Sequence, residues 1–394
     1  MPDKLRRRTV LAALAAMAGC SAQDDTGAES TPRETPTAST EQTPVATPEP
    51  TETTTETSEP TPTETPEPVD VRAWPDEYYQ GPLVSAHEHM NGYDGFEMTD
   101  EKMDWYVRWM DRNRVAQVMA ISSDRYLDVI REHDDRLVPF AFPWGEMREP
   151  LDEVAGKLGR RLEENPVYDG LGEFGLKGND ASKGGDDWDK EGPIPPDHPA
   201  MLSVYDLAAE RDVPVMLHVA SPWRYPEDEQ DEWESFDDVP HKEQLANAYE
   251  HNRDTDFLVH ATYQWTETSD GELVADALED HPNLYYDISP TAPKFIYGEE
   301  TFTKEEFEQR MAEISFENEV ERHYEKYGTL LEEYPERTLW GMDAALTWHY
   351  TDWALDTFVD LARSLLGRVS EEKARQVGYQ TAQDLFDIDV ETTG

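Results

Sequence analysis

Short apolar runs alternate with longer amphipathic stretches along most of this chain. The runs fall at 83–87, 115–121, 137–142, 170–176, 213–219, 257–261, 284–288 and 338–341. Near-continuous apolar runs of this length suit strands buried on both faces, as in a parallel sheet. Between them, apolar residues recur at helical spacing over 100–113, 151–165, 200–211, 241–252 and 273–281. An acidic stretch at 304–334 reads as one or two long helices on the exterior, and 371–385 as a last amphipathic helix. Eight strand–helix units predict an α/β protein, a (β/α)8 TIM barrel. A doubly wound open sheet is the alternative, but no glycine-rich phosphate loop follows any early strand. No repeat of solenoid length is visible. Long insertions follow strands four, five and seven, at 177–199, 221–240 and 289–303. In a barrel such loops sit on the C-terminal face, where active sites are built.

The pattern is different at the front. Residues 21–68 are rich in Thr, Pro and Glu and hold no aromatic residue. Such a stretch cannot bury enough apolar surface to offset its ordering entropy, so it reads as a disordered tether. Residues 1–20 read as an export signal. A basic segment at 4–8 leads into an apolar stretch from Val10 to Met17, too short to span a bilayer, and then Ala18-Gly19-Cys20. The arginines resemble a twin-arginine signal, and the small residues before Cys20 resemble a lipobox, with Met17 where Leu or Ile is usual. Cys20 is the only cysteine. It has no partner for an intrachain disulfide, and lipidation there implies an exported protein tethered to the outer face of the cytoplasmic membrane. Residues 69–394 are then the barrel domain.

Charge adds a second constraint. The chain carries 86 Asp and Glu against 34 Lys and Arg, a net of −52. It repels phosphate backbones, which excludes nucleic acid as the expected partner and leaves a small molecule. It also repels itself, a cost that high salt screens. With 11 Trp, 18 Tyr and 12 Phe the chain is not disorder-like, so the acidity reads as that of an extreme halophile's protein.

The chemistry-bearing residues cluster at strand ends. Strand one ends in His87-Glu88-His89, whose two imidazoles share a face in an extended chain. Strand five ends at His218 and strand six at His260. Strand four carries Glu173 within Gly172-Glu173-Phe174-Gly175-Leu176, and Gly341-Met342-Asp343 closes strand eight. Taken singly, each has an ordinary reading: a satisfied core histidine, a paired buried carboxylate, a helix N-cap. Together they place His and carboxylate side chains on one barrel face, which is the composition of a catalytic metal site. With no further cysteine, His and carboxylates are the available strong ligands. Lys177 reads as neutralising a substrate carboxylate or as a solvated loop lysine, and Trp223 and Trp265, with Trp144 and Tyr263, as lining a pocket or as packing under loops.

This ordering resembles the amidohydrolase superfamily, over about 83–386. Gly341-Met342-Asp343-Ala344 is similar to the Gly-Thr-Asp-x-Pro of the amidohydrolase-related branch, which includes lactonases and decarboxylases. Thr381-Ala382 stands where its final helix usually has Asn-Ala. The strand-four element departs from the decarboxylases and resembles the Gly-Glu-Ile-Gly-Leu of TatD-type hydrolases, in which the Glu bridges two metals. The resemblance implies a divalent metal, usually zinc, as one or two ions, and hydrolysis of an ester, lactone or amide. It implies that His87 and His89 bind the buried metal and that His218 is a further ligand. Asp343 then binds metal and shuttles the proton, and His260 serves as a second ligand or hydrogen-bond donor. Two other readings remain: a surface solute-binding lipoprotein, and a noncatalytic barrel. Neither needs metal-binding side chains at five strand ends.

Overall fold

The structure, a computed structural model, describes residues 70–90, 97–143, 145–148, 150–176, 194–219, 239–260, 271–289 and 302–390. Eight strands run parallel in one sheet, in sequence order: β1 (Leu83–Met90), β2 (Val115–Ser122), β3 (Leu137–Ala141), β4 (Gly170–Leu176), β5 (Val215–Val219), β6 (Phe257–His260), β7 (Leu284–Ile288) and β8 (Thr338–Trp340). The sheet curls into a TIM barrel. No ladder joins β8 to β1; that seam is closed just beyond β8, where Glu88 bridges Ala344 in parallel.

The helices follow their strands. They are α1 (Asp100–Asn113), α2 (Leu127–Arg131), α3 (Val154–Glu164), α4 (Pro199–Arg211), α5 (Val239–His251), α6 (Gly271–Asp280), α7 (Lys304–Ile314), α8 (Phe316–Glu333), α9 (Asp352–Leu366), α10 (Glu371–Arg375) and α11 (Thr381–Phe386). Local chemistry sets their ends. Thr99 caps α1, accepting the Lys102 N–H, and Arg114 ends it in a left-handed conformation at φ 51°. Thr303 and Glu306 form a capping box on α7. Arg363 of α9 is fully buried and donates to the carbonyls of Tyr79, Gly81 and Asn113, with its guanidinium 4.0 Å over the Trp74 ring. It thereby pins the lead-in segment and the end of α1 to the last barrel helix.

Two apolar clusters organise the interior. One lies between sheet and helices. The other draws Val84, Ala86, Met119, Ile121, Val138, Phe140, Met216, Leu258 and Leu339 from six strands, and joins them to Tyr379, Ala382, Leu385 and Phe386. Residues from strands on opposite sides of the sheet meet only inside the barrel, so the C-terminal segment floors it at the N-terminal ends of the strands. Phe140 packs edge-on to Phe386 at 5.7 Å. A Cβ on Gly170 would lie 2.2 Å from the Phe140 ring, so the small residue on β4 leaves room for the large one on β3.

The eight expected strands are all present. β5 starts two residues later than the apolar run because Asp212 is the left-handed cap of α4 and Val213 bonds back to Ala208. The 304–334 stretch divides into α7 and α8 at Ser315, φ 67°. The last helix is interrupted by a π-helical turn, Gln376–Gln380. Helices α2 and α9 were not foreseen; α9 buries nine residues, including Leu355, Phe358 and Leu366, on one face at helical spacing.

Candidate metal centre

Strand β1 does not hold a strict two-residue alternation. It pairs Ser85 with Val118 and then Glu88 with Ala120, so three steps on β1 match two on β2. This bulge changes the phase of the strand. Val84 and Ala86 face the barrel interior, and beyond the bulge His87 and His89 do so, while Ser85 and Glu88 turn to the other face. β4 carries a matching irregularity, with Leu171 opposite Val215 and Phe174 opposite Leu217. Gly172 sits there at φ 134°, and a Cβ would lie 2.6 Å from the Met216 carbonyl oxygen, so a side chain is excluded on both counts. The adjacent Glu173 is thereby aimed at the histidines. His218 and His260 are register partners on β5 and β6.

The ligand atoms converge at the C-terminal mouth. His87 Nε2 and His89 Nε2 are 3.1 Å apart, and Asp343 Oδ1 lies 3.5 and 3.3 Å from them. The other Asp343 oxygen is 3.3 Å from His260 Nε2. Glu173 likewise reaches two ways: Oε2 is 3.5 Å from His89 Nε2, and Oε1 is 2.6 Å from His218 Nδ1. Among the described residues three groups could hold a metal ion: His87, His89 and Asp343; Glu173, His218 and His260; and His87, His260 and Asp287, each with its ligand atoms within 4.8 Å of one another. His218 therefore lies across Glu173 from His87 and His89 and groups with Glu173 and His260, not with His87, His89 and Asp343 as one four-residue set.

The hydrogen bonds fit a metal. Asp287 Oδ2 is 3.0 Å from both His87 Nδ1 and His260 Nδ1. A carboxylate takes an N–H from each ring, which assigns the tautomers and turns both Nε2 lone pairs toward the centre. Asp287 is wholly buried and its Oδ1 finds no partner. Gly341 explains how it fits: a Cβ there would stand 2.5 Å from Asp287 Oδ1 and 2.8 Å from His87 Cβ. The glycine before Asp343 is a space requirement of the histidine-orienting carboxylate.

Charge stabilisation is strong. Burial raises the carboxyl pKa of Glu173, Asp343 and Asp287, yet His218 at Glu173, His87 and His260 at Asp343, and His260 and His87 at Asp287 outweigh it, and all three are held below the usual range. Burial lowers His89 and His260, but Asp343 and its fellow carboxylates raise both above the usual histidine value. Glu88, on the outer face of β1, behaves oppositely: burial pushes its carboxyl well up. A protonated imidazole cannot bind a cation, so metal and protons compete for this centre.

Asp343 has an unusual backbone. Five described non-glycine residues have positive φ: Arg114, Asp212 and Asp387 end helices, Ser315 joins two, and Asp343, at φ 52°, follows a strand of the sheet. The left-handed region costs an ordinary residue about 1–2 kcal/mol, and Asp tolerates it better than most.

All six residues expected as ligands, His87, His89, Glu173, His218, His260 and Asp343, meet here. Lys177, Trp223, Trp265, Trp144, Tyr263 and Cys20 lie outside the described residues, as do most of the three long insertions. Sequence reasoning missed Asp287. Its signal was present, since an acid inside Leu284-Tyr285-Tyr286-Asp287-Ile288 must find a partner when the strand is buried.

No family model matches the sequence, and no curated protein matches it. Solved structures match the chain at low identity and with TM-scores below 0.5. A phosphotriesterase homology protein from Escherichia coli, complexed with phosphate in its active site, is 16% identical with a TM-score of 0.47, covering 78% of this chain and 99% of that one. A TatD homolog from the same organism is 14% identical, TM-score 0.46, covering 78% and 98%. A dihydroxybenzoic acid decarboxylase from Polaromonas, with bound manganese and 2-nitroresorcinol, is 13% identical, TM-score 0.44, covering 78% and 97%.

Proposed function

We propose that this chain is a metal-dependent hydrolase of the amidohydrolase type, acting on an ester, lactone or amide bond of a small molecule. One observation carries the reading. Two buried carboxylates, Asp343 and Glu173, each stand between imidazoles on separate strands, Asp343 between His87/His89 and His260, Glu173 between His89 and His218. His87, His89 and Asp343 would hold one ion and Glu173, His218 and His260 could hold a second, and zinc suits a donor set of imidazole nitrogen and carboxylate oxygen. Such a metal, when bound, lowers the pKa of its water to about 7 and polarises a carbonyl. The protein's own part follows from its groups. Asp287 holds His87 and His260 with their Nε2 atoms facing inward. Asp343, with its carboxylate oxygens 3.3–3.5 Å from the Nε2 atoms of His87, His89 and His260, would take the proton from the attacking water at one oxygen and return it to the leaving group. His260 Nε2, its lone pair turned inward by Asp287, stands 3.3 Å from that carboxylate and would serve as a further ligand beside it. The same proposal takes residues 1–68 as signal, lipid anchor at Cys20 and tether, and the charge of −52 as an adaptation to high salt.

The test is elemental analysis of the purified protein, followed by a lactone, ester and amide panel in high salt before and after chelation. We expect one or two divalent ions per chain and turnover that disappears with chelator and returns with metal. A metal-loaded protein that turns over no member of the panel refutes the hydrolase assignment, and one that takes up no metal refutes the centre.

A further inference from the structure

We infer that Ser85 and Glu88, on the outer face of β1, are positioning residues that hold Asp343 in its left-handed conformation. The inference rests on the metal reading above. It starts from the seam, where β8 ends at Trp340 and no ladder continues it onto β1. The chain from Met342 to Ala344 is fastened to β1 by a short run of bonds in which a side chain replaces a backbone group. The Met342 N–H donates to Ser85 Oγ at 3.0 Å, the Asp343 N–H to the His87 carbonyl at 2.9 Å, and the His89 N–H to the Ala344 carbonyl at 3.0 Å. The Tyr350 hydroxyl lies 2.9 Å from both the His89 and Ala344 carbonyls and closes the outer side.

Ser85 can accept from Met342 only while its own proton points elsewhere. Two acceptors stand within its reach, Glu88 Oε1 at 3.1 Å and the His87 carbonyl at 3.3 Å. The carbonyl already takes the Asp343 N–H, which leaves Glu88 as the better partner, and the bulge brings Ser85 and Glu88, three apart, to the same face. A hydroxyl donating to a carboxyl is a better acceptor and is fixed in rotation. Ser85 and Glu88 are both fully buried, so water does not compete for either bond. The bulge thus performs two tasks: it turns His87 and His89 inward, and it assembles on the opposite face the pair that anchors the amide before Asp343. Release of Met342 would let Asp343 relax from φ 52° toward the ordinary region, swinging the carboxylate that now stands between His87, His89 and His260.

Cobalt(II) alone serves as the probe, titrated into full-length chelator-treated protein and followed by its visible absorption. Ser85→Ala and Glu88→Ala should weaken Co2+ binding about ten- to a hundredfold, the range for a lost partner behind a metal ligand, and shift the band. Glu88→Gln keeps an oxygen for the Ser85 hydroxyl and should restore both. Tyr106→Phe, which removes a buried hydroxyl that has no partner on the same side of β1, should change neither. Melting of the metal-free variants separates folding from positioning. If Ser85→Ala and Glu88→Ala lower the melting temperature but keep wild-type affinity and band, the pair is structural and the inference falls. If wild type takes up no Co2+, the metal reading fails first and this one with it.

Discussion

Replacing Asp287 with Asn tests the centre at its best-defined point. The carboxylate oxygen Oδ2 accepts from His87 and His260 at 3.0 Å each, in a fully buried position. Hydrogen bonds to a charged group contribute about 1.5–3 kcal/mol and neutral ones about 0.5–1.5, so neutralising the acceptor costs about 1 kcal/mol per bond. Two bonds make about 2 kcal/mol, or roughly thirtyfold in affinity for a metal held by those two rings. The amide nitrogen would then stand where Oδ1 now has no partner, hard against the Gly341 backbone. A buried, unbonded donor adds about 1–3 kcal/mol of destabilisation independent of metal. Zinc affinity, read by competition against a chromophoric chelator, should fall by that factor. The melting temperature of the metal-free protein should fall separately. An Asp287→Asn protein that binds zinc like wild type would refute the claim that Asp287 orients the ligands.

Other expectations concern stability and location. His323 on α8 is buried and its pKa is pushed down to about 3, by burial first and then by Arg322 and Lys326. The unfolded chain takes up this proton below about pH 6.5 while the folded one resists, so stability is lost as pH falls from there toward 3, by about 1.4 kcal/mol per unit. Urea unfolding of wild type and His323→Phe at pH 7 and 5.5 should show a smaller pH effect in the variant; equal slopes would contradict this. With a net charge of −52, melting should rise steeply with salt, since the screening length falls from about 30 Å at 0.01 M to about 3 Å at 1 M; a flat response removes the halophile reading. Cys20→Ser should move the protein from the membrane fraction to the medium, and a wild type found wholly in the medium or cytoplasm would end the anchor proposal.

Much of the barrel was legible because its strands are apolar on both faces and its helices are not. The unequal legibility of the site has physical causes. His87 and His89 stood out as a pair two apart, yet plain alternation puts them on the face of Leu83 and Ser85; only the bulge sets them with Val84 and Ala86. A bulge adds one residue to a ladder and leaves little trace in composition. His218 was seen as a ligand, but which ion it would serve depends on Glu173, whose direction is set by Gly172 and the neighbouring β5 backbone. Asp287 and Ser85 were missed because their partners are 200 and 257 residues away along the chain, at His87 and Met342. Helix α9 carried its signal in the sequence, with Ala354, Leu355, Phe358, Val359, Ala362 and Leu366 recurring at helical spacing opposite Asp356, Asp360 and Ser364.

The floor of the barrel sets an order on its making. Tyr379, Leu385 and Phe386 fill the N-terminal end of a cylinder whose first wall, β1, was translated some three hundred residues earlier. Until that segment has emerged from the ribosome the nascent chain holds an open-bottomed sheet, with Val84, Met119, Phe140 and Leu258 lacking their cover. Closure waits for that last helix to emerge, and any factor that shields such surface during synthesis would have to let go only then.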